Sequence, residues 1–311
     1  MNVVSLFDGI SVARVALDKA CLPVKKYFAS EIDKYAIQVS TKNYPDIVRL
    51  GSVVDVTAVK LALPEGEQFD LLIGGSPCQD LSIAKKGRKG LDGDRSGLFW
   101  EYIRIRDLIK PKYFILENVA SMPKKDRDII TEAMGVEPIM FNASLVSAQT
   151  RKRLFWTNIK FDLPEDRGII LKDILQAGAE VDERIINGEK KAYALTASYH
   201  KATAKNSIEK KQRTMVKVGH IGNSDSQGNR VYSPDGKSCT LSANGGGLGA
   251  KTGLYEVKET DTIRKLTPIE CERLQSVPDG YTAVVSNTQR YKCLGNAFNA
   301  EVIVQILKGI N

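Results

Sequence analysis

The sequence predicts an α/β fold in which helices cover both faces of a mixed, mostly parallel sheet and a small lobe is inserted late in the chain. Over the first half of the 311 residues, short apolar runs alternate with helical patterns. From about residue 167 the composition shifts toward lysine, serine, glycine and threonine, which is typical of a separate loop-rich lobe. After residue 262 the helical pattern returns, so we expect the two ends of the chain to build one domain.

The individual elements follow from these patterns in chain order. Apolar runs that predict strands lie at residues 3–7, 27–31, 71–73, 113–116 and 154–159, and helical patterns lie at residues 12–20, 34–41 and 98–109. Thr267 and Pro268, with Glu270 in the first turn, predict a helix start, and residues 300–307 predict a last helix. We therefore expect a first domain at 1–163, the lobe at 164–262, and a segment at 263–311 that completes the first domain.

Composition excludes several classes of protein. The five cysteines form no C-x-x-C pair and leave an odd one over, which argues against a disulfide framework and a zinc ribbon and favours a reducing cytosol. His200 and His220 suggest no metal site. The N-terminus enters a strand without a signal-like flank, and no apolar run approaches membrane-spanning length, so neither secretion nor membrane insertion is expected.

The formal charge of +8 is clustered along the chain. One basic group lies between residues 184 and 217, and a second follows residue 84. A polyanion such as nucleic acid is the natural partner of such clusters, although charge runs are also common on solvated surfaces.

Two patterns suggest chemistry. Residues 74–82 read G-G-S-P-C-Q-D-L-S after the apolar run 69–73, so Cys78 stands at a strand end, where open α/β sheets place their active sites. A thiolate there would be a strong nucleophile, and the alternative is a buried, inert cysteine. Gln149, Arg151 and Arg153 alternate along one extended segment and should share a face, with a solvated strand edge as the alternative.

Taken together, the motifs resemble those of the cytosine-C5 DNA methyltransferase family. They are, in order, S-L-F-D-G-I-S, A-S-E-I-D, V-V-D-V, G-G-S-P-C-Q-D-L-S, L-E-N-V, Q-T-R-K-R-L-F, L-T-P-I-E-C-E-R-L-Q and Y-K-C-L-G-N-A. The match spans essentially the whole chain except the lobe. The stretch from P-C-Q-D-L-S to R-S-G-L-F-W-E looks like the animal de novo branch, and the compact lobe is similar to phage and bacterial members. The resemblance implies a Rossmann-like, S-adenosylmethionine-dependent methyltransferase fold with an inserted target-recognition lobe.

The resemblance also implies a covalent mechanism. Cys78 would add to C6 of cytosine, so that C5 becomes nucleophilic enough to accept a methyl group from S-adenosyl-L-methionine, with S-adenosyl-L-homocysteine as the other product. Glu117 would hydrogen-bond the ring N3 and the exocyclic amine, unless it is only a capping or salt-bridged glutamate. Arg153 would bind the cytosine O2, and Arg151 would steady the site.

The implied cofactor residues come mainly from the first strands. They are Phe7, Asp8, Gly9, Glu31, Ile32, Asp55, Leu98 and Asn296. Phe7 would stack on the adenine and Glu31 would take the ribose hydroxyls, while Asp55 resembles the acceptor for the adenine amine. A dinucleotide fold is the competing reading, but G-x-G-x-x-G is absent. The family often has further glycines where this chain has Ser11 and Val12.

The implied partner is double-stranded DNA, bound by a monomer in the cytoplasm of a prokaryotic cell, with host or phage origin open. A stacked cytosine must be flipped out to reach the cysteine, and the loop 82–97 would close over it. The expected DNA contacts are Gln79, Ser82, Lys85, Lys86 and Arg88 in this region and Lys201, Lys205, Lys210 and Lys211 in the lobe. The glycines at 245–249 would allow close approach to DNA or form a plain hairpin turn.

Two rival functions remain open at this point. A related enzyme acting on tRNA would keep the same catalytic residues. A catalytically silent relative would only recognise DNA. The basic lobe favours DNA, and the joint presence of Cys78, Glu117 and Arg153 speaks against a silent binder.

Overall fold

A computed structural model describes residues 1–77, 96–176, 217–220, 230–241, 243, 252–257 and 262–310, with the backbone alone at 96, 217–220, 256–257 and 262–265. The chain divides into two compact units. The first comprises Met1–Asn142, Lys152–Pro164 and Ala297–Asn311, and the second comprises Ala143–Arg151 and Glu165–Asn296. The expected segment 263–311 is therefore split in this division, since only Ala297–Asn311 packs with the first unit.

The strands of the first unit form a seven-stranded sheet of mixed direction. They are β1 (Asn2–Leu6), β2 (Lys26–Ser30), β3 (Val48–Gly51), β4 (Leu71–Gly75), β5 (Tyr113–Val119), β6 (Ile139–Asn142) and β7 (Lys152–Thr157). The strand order is β3-β2-β1-β4-β5-β7-β6. All neighbours from β3 to β5 are parallel, whereas β7 runs antiparallel to both β5 and β6. The predicted mixed, mostly parallel sheet is confirmed.

Helices alternate with these strands along the chain. In the first unit they are α1 (Val12–Lys19), α2 (Lys34–Asn43), α3 (Phe99–Ile109) and α4 (Lys124–Met134), and after α5 (Pro268–Leu274) and α6 (Asn287–Asn296) of the second unit comes α7 (Ala300–Leu307). α1 packs against α7, and Lys19 pairs with Glu301 at 2.6 Å. Within the described part of the chain, no helix has the length and apolar character needed to cross a membrane.

The core of the first unit lies between the sheet and its helices. Every residue of β1 is buried, as expected of a parallel strand covered on both faces, and Leu6 packs in one cluster with Leu72, Leu116 and Trp156. The side chains that end β1, β2, β4 and β5 are thereby held in a rigid frame.

In the second unit, the described strands form a four-stranded sheet in the order β11-β10-β9-β8. They are β8 (Lys217–His220), β9 (Arg230–Tyr232), β10 (Leu254–Val257) and β11 (Thr262–Lys265). The predicted start of α5 is confirmed: Thr267 accepts a hydrogen bond from Glu270 N at 3.2 Å, and Glu270 accepts one from Thr267 N at 2.8 Å.

Candidate active site

The first unit has one point where the strand order reverses, between β1 and β4. From β1 the chain builds outward through β2 and β3, and from β4 it builds outward in the other direction. In open α/β sheets, the crevice outside the carboxyl ends of the strands at such a point is the usual ligand site. Register pairs Leu6 with both Ser30 and Gly74, and Gly75 with Glu117. The ends of these four strands therefore lie at one edge of the sheet.

Glu117 and Arg153 form an ion pair at this edge. Arg153 Nε lies 2.7 Å from Glu117 Oε1, and the two side chains are only 17% and 13% exposed. Arg153 also donates through Nη1 to the carbonyl of Lys152 at 2.9 Å. Glu117 is therefore salt-bridged, as the alternative interpretation held. Its partner, however, is another residue predicted for the site.

The two glycines that end β4 are closely packed by their neighbours. A Cβ added at Gly75 would lie 3.0 Å from Glu117 Oε2 and 2.9 Å from Phe298 Cε1, and one added at Gly74 would lie 2.9 Å from the carbonyl of Leu6. The glycines of the G-G-S-P-C motif thus allow β4 to approach both the carboxylate and β1. Phe298 was not among the predicted site residues, and its only sequence signal is its place two residues after Asn296.

The segment that leads from β4 toward Cys78 is held by Asn118. Asn118 Nδ2 donates to Ser76 Oγ at 3.0 Å, and both side chains are buried. Asn118 Oδ1 also accepts from Val119 N at 2.8 Å. Asn118 was not among the predicted site residues, although it follows Glu117 in the L-E-N-V motif.

Several predicted site residues lie outside the described residues, and their roles stay predictions. They are Cys78, Gln79, Ser82, Lys85, Lys86 and Arg88 after β4, and Lys201, Lys205, Lys210 and Lys211 in the second unit.

The turn after β1 meets the end of β2 through Glu31. Gly9 N donates to Glu31 Oε2 at 2.8 Å, while Ile32 N and Asp33 N donate to Glu31 Oε1 at 2.7 and 2.8 Å. Phe7 and Gly9 both have left-handed backbones, with φ of 56° and 60°. The carboxylate of Glu31 is thus held at the crevice by backbone amides, and the neighbouring Ile32 side chain is 75% exposed.

Asp8 faces into the protein rather than toward the crevice. Its carboxylate is buried and accepts hydrogen bonds from the hydroxyls of Ser11 and Tyr27. Burial raises the pKa of Asp8 above its usual value, and the hydrogen bond from Ser11 opposes that shift. The carboxylate of Asp8 is therefore not placed to contact a cofactor in the crevice.

Three cofactor candidates remain, namely Asp55, Leu98 and Asn296. Asp55 is exposed and ends the 3-10 turn Val53–Asp55, whose first residue is buried, whereas Ser52 is the residue that directly follows β3. Leu98 is half-buried, precedes α3 and packs against the core cluster. Asn296 is exposed and is the last residue of the second unit.

The predicted common face of Gln149, Arg151 and Arg153 is not formed by one strand. β7 begins at Lys152, so only Arg153 lies in it, and the two preceding residues belong to the second unit. The reason is a non-local pairing: Thr150 N donates to the Ser238 carbonyl at 3.0 Å, and Ser238 N donates to the Ala148 carbonyl at 2.8 Å.

Arg151 and Gln149 differ in how their side chains are satisfied. The buried guanidinium of Arg151 donates to the carbonyls of Leu241 at 3.4 Å and Gly295 at 3.2 Å. Gln149 is 0% exposed, and neither atom of its amide has a hydrogen-bond partner among the described residues. Across those same residues, no three His, Cys, Asp or Glu side chains form a group that could hold a metal ion.

Comparison with known protein families gives a match over the full chain. The sequence model of the C-5 cytosine-specific DNA methylase family matches residues 1–311. The chain is 30% identical to the Type II methyltransferase M.HhaI of Haemophilus parahaemolyticus over 100% of its own length and 93% of that protein. It is 30% identical to the orphan methyltransferase M.Rho11sI of Bacillus phage rho11s over 92% of its own length and 67% of that protein.

Solved structures show the same fold. The methyltransferase EhMeth of Entamoeba histolytica superimposes with a TM-score of 0.70 at 15% identity, covering 99% of this chain and 97% of that one. A mutant DNMT2 of Spodoptera frugiperda gives a TM-score of 0.67 at 18% identity, covering 99% of both chains. The predicted Rossmann-like methyltransferase fold is confirmed.

Proposed function

Because the chain belongs to the C-5 cytosine-specific DNA methylase family, we propose that it transfers a methyl group from S-adenosylmethionine to C5 of a cytosine in duplex DNA. The products are 5-methylcytosine and S-adenosylhomocysteine. The observation that carries the proposal is the Glu117–Arg153 ion pair at the sheet edge, beside the glycine-lined end of the strand that leads to Cys78.

The reaction needs a nucleophile because C5 of cytosine is too electron-poor to be methylated directly. In the proposal the Cys78 thiolate adds to C6, which makes C5 nucleophilic. After methyl transfer to C5, a base removes the C5 proton and the thiolate is expelled. The buried hydrogen bond between Asn118 and Ser76, two residues before Cys78, supports the use of this motif in catalysis.

Glu117 and Arg153 would act on the same base as the thiolate. The carboxyl group of Glu117 hydrogen-bonds N3 and the exocyclic amine, offsetting the charge that develops on the ring as the C6 adduct forms. Arg153 can bind O2 through one edge of its guanidinium while its Nε holds Glu117. Arg151 is carried over from the family resemblance as a further residue of the base pocket.

The residues at the ends of β1 and β2 fit a cofactor with a ribose and an adenine. An ionised carboxylate has about four acceptor sites, and three backbone amides use three of those on Glu31, so one remains for a ribose hydroxyl. A Cβ added at Gly9 would meet no described atom within 4 Å, which leaves the turn open to a ligand. When bound there, S-adenosylmethionine supplies the electrophilic methyl group.

Apolar and polar walls complete the proposed cofactor site. Phe7, the exposed Ile32 and Leu98 are the apolar surfaces for the adenine and the methionine chain. Asp55 and Asn296 are carried over from the resemblance as polar contacts.

DNA binding rests on the net charge of +8 and on the family. The target cytosine is flipped out of the duplex, the loop 82–97 closes over it, and the lobe reads the flanking sequence. We propose a monomer acting in the cytoplasm of a bacterial cell, which the bacterial and phage origin of the relatives supports.

Bisulfite sequencing tests the substrate and product together. Plasmid DNA and tRNA are recovered from cells that express the wild type or Cys78→Ser and are sequenced after bisulfite treatment. We expect protected cytosines at one sequence context in DNA from wild-type cells, and none with the variant. Protection confined to tRNA would establish the rival RNA function, and no protection in either would point to a silent DNA-binding relative.

A further inference from the structure

A chain of buried polar side chains lies behind the turn that follows β1. Asp8 Oδ1 accepts a hydrogen bond from the Tyr27 hydroxyl at 2.8 Å, and Asp8 Oδ2 accepts one from Ser11 Oγ. Ser11 Oγ also hydrogen-bonds Ser40 Oγ, which accepts from Arg49 Nη2 at 2.8 Å. The chain therefore links the turn to β2, α2 and β3, the elements that build this half of the sheet.

Burying these polar side chains costs free energy, which indicates that the network has a function. Ser11 and Ser40 are fully buried, and Asp8 is only 5% exposed. Burying a carboxyl group is unfavourable unless its oxygens are hydrogen-bonded, and apolar residues would pack the same space without that requirement. The proposed reaction gives none of these side chains a contact with substrate.

The backbone that the network touches is strained. Phe7, Gly9 and Ser11 all adopt left-handed conformations, with φ of 56°, 60° and 60°. Two of the three carry side chains, for which this region is disfavoured, and such conformations persist only where the surroundings fix them.

The strained turn contacts the crevice through the backbone amide of Gly9. Asp8 N donates to the Ser30 carbonyl and Ser11 N to the Asp8 carbonyl, each at 3.0 Å. Between them the turn presents Gly9 N to Glu31 Oε2 at 2.8 Å. Ser11 and Gly9 thus lie in the same tight turn. The Ser11 hydroxyl contacts the buried polar network, and the Gly9 amide contacts Glu31.

We propose that Ser11 is a positioning residue for the cofactor site, acting through Asp8 and Tyr27. Its hydroxyl holds the turn at residues 7–11 in the shape that aims the Gly9 amide at Glu31, and so it sets the affinity for the cofactor. This inference rests on the proposed function, because it takes Glu31 as the ligand of the cofactor ribose.

Hydroxyl-deletion variants of the full-length protein test this role. Affinity for S-adenosylhomocysteine is measured by titration calorimetry for the wild type, Ser11→Ala, Ser11→Gly and Tyr27→Phe. A hydrogen bond to a charged group is worth enough for a change of roughly tenfold in the dissociation constant. We expect that increase for Ser11→Ala and a smaller increase for Ser11→Gly, because both variants lose the hydroxyl anchor but glycine adopts the left-handed backbone without strain.

The steady-state parameters separate positioning from catalysis. The KM for S-adenosylmethionine should rise by roughly the same factor as the dissociation constant, while kcat at saturating cofactor stays within about twofold of the wild type. If Ser11→Ala does not fold, Ser40→Ala removes the next contact outward, and a weaker loss of about threefold is expected.

Tyr102→Phe is the matched control. Tyr102 is fully buried in the same unit, and its hydroxyl donates to the Leu72 carbonyl at 3.4 Å, away from the turn. It should leave cofactor affinity within about twofold of the wild type. Wild-type affinity in both Ser11 variants, or equal weakening by Tyr102→Phe, would overturn the inference. If the wild type itself binds no S-adenosylhomocysteine, the proposed function fails instead.

Discussion

Arg153 Nε and Glu117 Oε1 lie 2.7 Å apart across the antiparallel pair of β7 and β5. Register places Arg153 opposite Val119, two residues beyond Glu117, so the two side chains meet diagonally on one face of the sheet. Each residue therefore fixes the other at the strand ends where Gly75 also approaches. An arginine held in this way can orient the carboxylate and still present donors to a base.

Glu117→Gln should lower kcat by roughly 100-fold, because the amide keeps the shape of the side chain but loses its charge toward the developing adduct. S-adenosylhomocysteine affinity should stay within about twofold. Arg153→Ala should cause a similar loss, and the double variant should be no worse than either alone, since the two residues act as a unit. Methylation kinetics on a plasmid substrate give these values.

Lys124→Ala is the control for that pair, since it breaks an exposed Lys124–Asp128 bridge on α4. Its activity should match the wild type. Fully additive losses for Glu117→Gln and Arg153→Ala would show that the ion pair has no joint role.

Glu31→Ala should raise the dissociation constant of the cofactor by about 10- to 100-fold, the equivalent of about 1.5 to 3 kcal/mol for hydrogen bonds to a charged group. Glu31→Gln should cost less, because its amide oxygen can still accept from one or two of the backbone amides now bound to Glu31. DNA affinity should barely change in either variant. Calorimetry and gel shift measure the two affinities, and an equal loss of both would make Glu31 a structural residue.

Gln149→Met should raise the melting temperature. The buried amide of Gln149 has no hydrogen-bond partner among the described residues, and an unsatisfied buried polar group costs about 1 to 3 kcal/mol. Methionine has similar length and no such groups, so a rise of a few degrees is expected by calorimetry.

Gln275→Met is the comparison for this variant. Gln275 is equally buried in the same unit, and its Oε1 also lacks a partner among the described residues, but its Nε2 donates to the Leu294 carbonyl at 2.6 Å. Gln275→Met should therefore lower the melting temperature. A fall in melting temperature for Gln149→Met as large as that for Gln275→Met would mean that the Gln149 amide is satisfied in solution.

Replacing Lys201, Lys205, Lys210 and Lys211 together with alanine tests the basic run of the lobe. If these lysines contact phosphates, binding to all duplexes should weaken alike and the dependence of affinity on salt should flatten, while the methylated sequence stays the same. An unchanged salt slope would place the run in solvent, and a changed target sequence would mean that it reads bases. A salt titration with sequencing of the methylated sites distinguishes these results.

Local patterns in the sequence predicted the regular elements well. The last helix has the bounds Ala300–Leu307 that the sequence predicts, and the Thr267 capping box starts α5. α4 was missed because its sequence, KKDRDIITEAM, is mostly polar and its apolar residues all fall within its last six positions. Periodicity identifies a helix by its buried face, and that face in α4 is narrow.

Non-local contacts limited the prediction of the site. The motif placed Asp8 among the cofactor residues, yet its side chain turns inward to Tyr27, nineteen positions along the chain. Arg151 was expected beside Arg153 on one strand, but the pairing of residues 148–150 with Ser238 places it in the second unit. Such contacts depend on tertiary packing, which no local pattern encodes.

In the proposed reaction, Cys78 forms a covalent bond to the target cytosine. DNA with 5-fluorocytosine at the methylated position cannot lose its C5 substituent, so the enzyme should remain attached after methyl transfer. With S-adenosylmethionine present, the wild type should give an adduct that survives denaturing electrophoresis. Cys78→Ser should give none while it still binds cofactor and DNA, because a hydroxyl is far less ionised than a thiol at neutral pH. An adduct of equal yield with Cys78→Ser would contradict the account.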